Sequence, residues 1–176
     1  MSESIDPVSA DVETLGEPKV DSPLPFQHFV PHHKKVTMEI PPEIHQKEGE
    51  EPEFYTFEES GPKESIYFDP SKTKCAIVTC GGLCPGINDV IRAIVMEAYY
   101  QYGVSSILGI RFGLQGFIPK YKHEVWELTP STVSDIHEFG GTVLGSSRGH
   151  QSPEEIVEAL ERLNVNVLFL VGGDGS

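Results

Sequence analysis

Hydrophobic positions along this chain change their spacing at Lys74. Before it they are sparse and without period. Pro23, Pro25, Pro31, Pro41 and Pro42 interrupt every candidate helix, because proline lacks the amide donor and clashes with the preceding turn. Residues 65–69 (SIYFD) fit a short strand or an extended run. Residues 1–72 therefore read as a leader, largely irregular, with residues 1 to about 50 expected to be mobile. From Lys74 the pattern becomes periodic. Residues 75–80 (CAIVTC) are a short run rich in β-branched side chains, which suits a buried strand. GGLCPG follows at 81–86. Ile87, Val90, Ile91, Ile94, Val95 and Ala98 then recur at helical spacing, predicting an amphipathic helix that ends near Tyr102-Gly103. Asn88 and Asp89 put short polar side chains in its first turn, where unpaired amides want acceptors. Residues 105–112 (SSILGIRF) read as the next strand. Strand, glycine-rich turn, helix and strand make a βαβ unit, whose crossover implies a parallel sheet.

The same reading continues to the end. Thr129-Pro130 predicts a helix to about Phe139, with threonine as cap and proline in the first position. Residues 140–150 (GGTVLGSSRGH) form a loop around a short apolar piece. Ser152-Pro153-Glu154-Glu155 has the form of a capping box and opens a helix carrying Ile156, Val157, Leu160 and Leu163. Residues 165–171 (VNVLFLV) predict a last strand, buried by its apolar content, which runs into GGDGS at 172–176. The expected fold class is α/β: a Rossmann-like parallel sheet with flanking helices over residues 73–176, preceded by the leader.

Charge modifies this picture only in the leader. Residues 1–70 hold 16 of the 27 acidic residues but five of the 13 basic ones. An acidic chain is a poor electrostatic match for nucleic acid or an anionic membrane surface. No apolar run approaches the roughly 20 residues of a membrane span. The first residues lack the basic and apolar regions of a secretory signal and are too acidic for a transit peptide, so a cytoplasmic protein is expected. Cys75, Cys80 and Cys84 are odd in number and give no C-x-x-C pair, so reduced thiols are expected rather than a disulfide framework or zinc site.

Three glycine-rich segments carry the candidate chemistry: 81–86, 145–149 and 172–176. Glycine lets backbone amides approach phosphate oxygens with no Cβ in the way, and the helix after Gly86 adds its positive end. One such turn alone is often only a tight βα connection. Three in one nascent sheet point to a phosphate-bearing ligand at the carboxyl ends of the strands. GGLCPG is not G-x-G-x-x-G, and the chain has no G-x-x-x-x-G-K-[ST]. Asp174, in its glycine frame, suits Mg²⁺ held against phosphate oxygens, or else satisfies its own turn. Arg148 suits a bidentate phosphate grip, or else is a surface arginine.

The runs CAIVTCGGLCPGINDVIRAIV, LGIRFGLQGF, GGTVLGSSRG and LFLVGGDGS resemble, in order and spacing, the first half of the nucleotide-binding domain of 6-phosphofructokinases. The GGLCPG form is most similar to the branch found in plants and some protists and bacteria. The resemblance covers residues 74–176. It implies phosphoryl transfer from ATP to the 1-hydroxyl of fructose 6-phosphate, dependent on Mg²⁺. It further implies ATP contacts at Gly82, Arg148, Gly149, Gly173, Asp174, Gly175 and Ser176, with Asp174 on the metal and Arg148 neutralising charge during transfer. Gly175 stands where pyrophosphate-using relatives carry aspartate, which implies ATP as donor. Leu114 replaces an aromatic nucleotide contact of the bacterial short enzymes, so that contact is not carried over.

The family's catalytic base belongs to a Thr-Ile-Asp motif downstream, and its sugar-phosphate site is also downstream, partly from a neighbouring subunit. This 176-residue piece is therefore expected to be inactive alone, within a full-length enzyme that is a homo-oligomer. Two other readings stand beside it: another GGDG-type kinase, and a non-catalytic fragment that binds nucleotide or assembles with other subunits.

Overall fold

The computed structural model describes residues 13–25, 28–38 and 55–173. It divides into two compact units, Met1–Tyr67 and Phe68–Ser176. In the first, β1 (Val20–Asp21) pairs antiparallel with β4 (Ser65–Ile66), and β2 (Lys35–Met38) with β3 (Tyr55–Glu58). Ion pairs Lys34–Glu59, at 2.9 Å, and Lys63–Glu58, at 3.1 Å, flank the second pair. About half of the stretch expected to be mobile, residues 1–12, 26–27 and 39–50, lies outside the described residues.

The second unit holds a four-stranded sheet. In chain order its elements are β5 (Lys74–Thr79), α1 (Ile87–Met96), β6 (Ser106–Ile110), β7 (Trp126–Glu127), α2 (Pro153–Leu163) and β8 (Val167–Val171). The sheet order is β7-β6-β5-β8. β6, β5 and β8 are parallel, in line with the βαβ pattern. β7 runs antiparallel to β6, which the sequence pattern did not foretell. Between them lie only two 3₁₀ turns, Gly113–Phe117 and Pro119–Tyr121. With no crossover helix to carry the chain back, its return strand pairs in the opposite sense.

Side chains alternate along β5, and the alternation builds two cores. Cys75 and Ile77 pack with Ile87, Ile91 and Val95 of α1, whereas Ala76 and Val78 pack with Phe117, Ile118 and Ala159 of α2. The two helices therefore cover opposite faces of the sheet.

Two local expectations need correction, the helix at Thr129 and the burial of the last strand, and the end of the first helix gains a detail. The helix predicted from Thr129 to Phe139 is a series of turns ending in a 3₁₀ helix at Ile136–Glu138. Hydroxyls compete for the backbone there: Thr132 Oγ1 donates to the Thr129 carbonyl at 3.0 Å and Ser134 Oγ to that of Ser131 at 3.1 Å. The helix predicted to reach Tyr102 is α-helical to Met96 and closes as a π-helix, Glu97–Gln101, before Gly103 at φ 74°. The last strand is apolar but only half-buried: β8 has a partner on one side alone among the described residues, and Leu170 is exposed. At α2 the Ser152 hydroxyl accepts the Glu155 amide at 3.3 Å, as a cap should, and donates to Glu154 at 2.6 Å. That bond holds the Glu154 carboxyl below its ordinary range.

Candidate functional site

The parallel strands β5, β6 and β8 deliver three loops to one end of the sheet, and the segment 140–149 folds over them. β5 lies between the other two, and the loops leaving β5 and β8 are tied at their roots by Cys80 N–H to Val171 carbonyl, 2.8 Å. Above that bond Gly81 at φ 80° and Gly173 run side by side. A methyl on Gly81 would stand 3.6 Å from the Gly173 nitrogen. The Ser146 hydroxyl donates to the Gly81 carbonyl at 3.0 Å, so the third glycine segment is joined to the first. Gly113, opening the loop after β6, is equally close to that segment: a methyl there would stand 2.9 Å from the Ser147 nitrogen. Four segments far apart in sequence thus share one end of the sheet.

The residues expected to meet the ligand occupy the rim of this end. Gly82, Arg148, Gly149 and Gly173 are all exposed. Among the described residues, a methyl on Gly82, Gly149 or Gly173 would meet no heavy atom within 4 Å, which leaves space above these backbones for a ligand. Gly149, at φ 100°, also needs the glycine backbone. α1 begins directly after Gly86, which caps it in the left-handed conformation with no side chain covering the first amides. No cap side chain closes its positive end, and Asp89 is the acidic residue of the first turn. Asp174, Gly175 and Ser176 lie outside the described residues. Among the described residues no group of three metal-ligating side chains occurs, so Cys75, Cys80 and Cys84 form no metal cluster there.

Three side chains that the sequence reading did not assign to the site hold it together. Thr79, the last residue of β5, is 1% exposed and donates from Oγ1 to the Gly145 carbonyl at 2.8 Å. Its oxygen also lies 2.9 Å from Thr142 Oγ1. Asn88, 2% exposed, donates from Nδ2 to the Phe139 carbonyl at 2.8 Å and accepts the Val143 amide at 2.9 Å. Asn88 was expected to serve the first helical turn. It instead faces inward, and the spacing held the signal: Asn88, Ile91 and Val95 of α1 and Ala98 of the π-helix that closes it share one stripe, all buried.

The cysteines differ in exposure. Cys75 is buried, Cys80 half-buried and Cys84 exposed. Burial pushes the Cys75 thiol up, and burial pushes Cys80 up against a smaller opposing effect of the Leu114 amide. A thiol-reactive probe at neutral pH is expected to label Cys84 first and Cys75 last, read by peptide mass mapping. Equal rates at Cys75 and Cys84 would contradict the burial of β5.

Comparison with known proteins agrees with this geometry. A family model described as Phosphofructokinase matches residues 74–176. The chain is 45% identical over 172 residues to the ATP-dependent 6-phosphofructokinase of Borreliella burgdorferi, covering 94% of this chain and 38% of that protein. It is 44% identical over 172 residues to the ATP-dependent 6-phosphofructokinase of Entamoeba histolytica, covering 96% of this chain and 37% of that one. The chain thus spans less than two fifths of the length of these relatives. The phosphofructokinase of Pichia pastoris, solved in its T-state, superposes with a TM-score of 0.53 at 26% identity, over 68% of this chain and 13% of that chain. With one family model matched from Lys74 to Ser176, and the loops of that same stretch gathered at one end of its sheet, this chain belongs to the phosphofructokinase family.

Proposed function

We propose that this chain supplies the nucleotide-binding loops of an ATP-dependent 6-phosphofructokinase, which transfers a phosphoryl group from ATP to the 1-hydroxyl of fructose 6-phosphate. The observation that carries this reading is the approach of the Gly81 and Gly173 loops, with Ser146 bonded across to Gly81. Two bare backbone runs beside a helix N-terminus form a concave donor surface suited to phosphate oxygens. Gly82, Gly149, Gly173, Gly175 and Ser176 are then backbone contacts to the nucleotide. Arg148 lies on the phosphates and neutralises charge as the phosphoryl group leaves. Among the described residues no carboxylate engages its guanidinium, which leaves the side chain available.

The metal is Mg²⁺ and its protein ligand Asp174. One carboxylate suits Mg²⁺, which completes its shell with waters and phosphate oxygens, and the open space over Gly82 and Gly173 leaves room for both. When bound, the ion supplies further neutralisation of phosphate charge. Glycine at position 175 leaves space that an aspartate would fill with negative charge, so the donor is ATP rather than pyrophosphate. The full-length enzyme works in the cytoplasm as a homo-oligomer on this reading. No helix among the described residues is long and apolar enough to cross a membrane.

Calorimetric titration tests the assignment. ATP with Mg²⁺ is expected to bind the chain, pyrophosphate not to displace it, and Arg148→Ala to weaken binding about tenfold through loss of a charge-assisted contact. No binding to the unaltered chain, or unchanged affinity in the variant, would overturn the reading.

A further inference from the structure

We propose that Thr79 is a positioning residue of the nucleotide site, setting through Gly145 the segment from which Arg148 projects. The inference rests on the reading of Arg148 as a phosphate contact. Thr79 itself is too deeply buried to touch a ligand. What it controls follows from counting protons in its hydrogen bonds.

A threonine hydroxyl has one proton to donate. That of Thr79 goes to the Gly145 carbonyl, which has no hydrogen to offer in return. The short contact between the two hydroxyls must therefore run from Thr142 to Thr79. Thr142, its own proton committed, accepts the Leu144 amide at 3.2 Å. The result is a one-way chain from Leu144 N–H through Thr142 and Thr79 to Gly145 C=O. Each hydroxyl both accepts and donates, so neither can be reversed without leaving a group unpaired. The chain spans a single turn, and a valine at position 79 would break it at two points.

That turn is the root of the ligand-facing segment. Gly145 has φ 71°, and a methyl on it would stand 3.0 Å from the Phe112 ring. Its carbonyl can therefore point to Thr79 only while its backbone stays left-handed against that ring. Immediately after it, Ser146 bonds to Gly81 and Ser147 lies against Gly113. Arg148 comes next, exposed, with no bond of its own among the described residues to hold its backbone. The direction in which Arg148 leaves the fold is thus set at Gly145 and Ser146, and Thr79 is the buried side chain that fixes the first of these. Its place at the end of β5 makes it rigid, since Val78 and Thr79 are in register with Leu170 and Val171 of β8. Rigid support of this kind is what a phosphate-gripping arginine on a loop needs.

The experiment is ATP·Mg²⁺ titration of the whole chain, at a temperature where circular dichroism shows each variant folded. Thr79→Val is expected to weaken binding about tenfold, the equivalent of one lost or misdirected hydrogen-bonded contact, and Thr79→Ser to stay within about twofold of the unaltered chain. In an Arg148→Ala background the same Thr79→Val change is expected to cost less than about threefold, because a residue that acts through Arg148 has nothing left to position. A role confined to stability would give the same loss in both backgrounds, and that result overturns the proposal. If Thr79→Val does not fold, Thr142→Val breaks the same chain one step earlier at a half-exposed position. It is expected to weaken binding about threefold, and affinity equal to the unaltered chain overturns the proposal. An unaltered chain that binds no ATP·Mg²⁺ overturns both this inference and the functional reading beneath it. Binding by the unaltered chain with indifferent Thr79 variants overturns this inference alone.

Discussion

Alanine at Gly116 is expected to destabilise the folded chain by about 3 kcal/mol or more, near the upper end of what overpacking costs. The added methyl would overlap the Arg111 carbonyl oxygen and stand 2.6 Å from the Ile110 side chain. The first of these is backbone, which no rotamer change can move aside. Ile110 is fully buried in the core against Phe117 and Ile118, so it cannot yield either. The 3₁₀ turn Gly113–Phe117 would have to lift off the end of β6. Gly82→Ala is the matching control: nothing among the described residues lies within 4 Å of its methyl, so its midpoint in urea should barely change. Equal midpoints for the two variants would mean that the loop after β6 is looser than its geometry.

Replacing Asn88 with alanine is expected to cost about 2 kcal/mol, because a buried side chain loses two hydrogen bonds to part-buried backbone groups, each worth about 1 kcal/mol. The Phe139 carbonyl and the Val143 amide are those groups. They bracket Gly140, Gly141 and Thr142, so the glycine-rich segment would lose its hold on α1. Asn88→Asp separates the two bonds. A carboxylate still accepts from Val143 but faces the Phe139 oxygen with no proton between them. Burial and that repulsion raise the carboxyl's folded pKa above its unfolded value of about 3.9. The protonated form can donate to Phe139 and restores the bond. Its stabilisation is therefore full below the unfolded pKa and is lost as pH rises through the folded one. Chemical denaturation of Asn88→Asp and the unaltered chain from pH 4 to 7 should show the gap between them widening with pH. A gap independent of pH would mean that the Asn88 donor to Phe139 is dispensable.

Much of this protein was legible from spacing alone. The β-branched run at 75–80, the helical period from Ile87 to Ala98 and the proline-led cap at Ser152 each have a local cause, and β5, α1 and α2 form where those causes act. The three glycine segments were also legible, because glycine is the one residue whose backbone can lie bare against a phosphate. Local rules failed where neighbours in space outvoted neighbours in sequence. Thr129-Pro130 looks like a helix start, and Val133 N–H does bond the Thr129 carbonyl at 3.1 Å, yet the hydroxyls of Thr132 and Ser134 bond the same stretch of backbone and the turn is not propagated into a helix. Residues 165–171 read as a strand buried by its apolar content. Among the described residues they have a strand partner on one side alone, since strand order is a global property that no seven-residue window contains.

The site divides along the same line. Which residue types can contact a phosphate is legible in the chain, so the glycine-rich segments and Arg148 stood out by themselves, while the family resemblance singled out Gly82, Gly149 and Gly173; all four residues are exposed. What holds them there is a matter of which surfaces meet. Thr79 is an ordinary strand residue until Gly145, 66 positions away, places a carbonyl over it, and Asn88 is an ordinary helix-start residue until Phe139 and Val143 arrive. The sequence determined the elements and the chemistry of the loops, because both follow from short-range backbone and side-chain preferences. Only the tertiary structure decided strand order, the antiparallel edge at β7 and the buried threonine and asparagine that aim the loops, because each depends on hydrogen bonds between segments that the fold alone brings together.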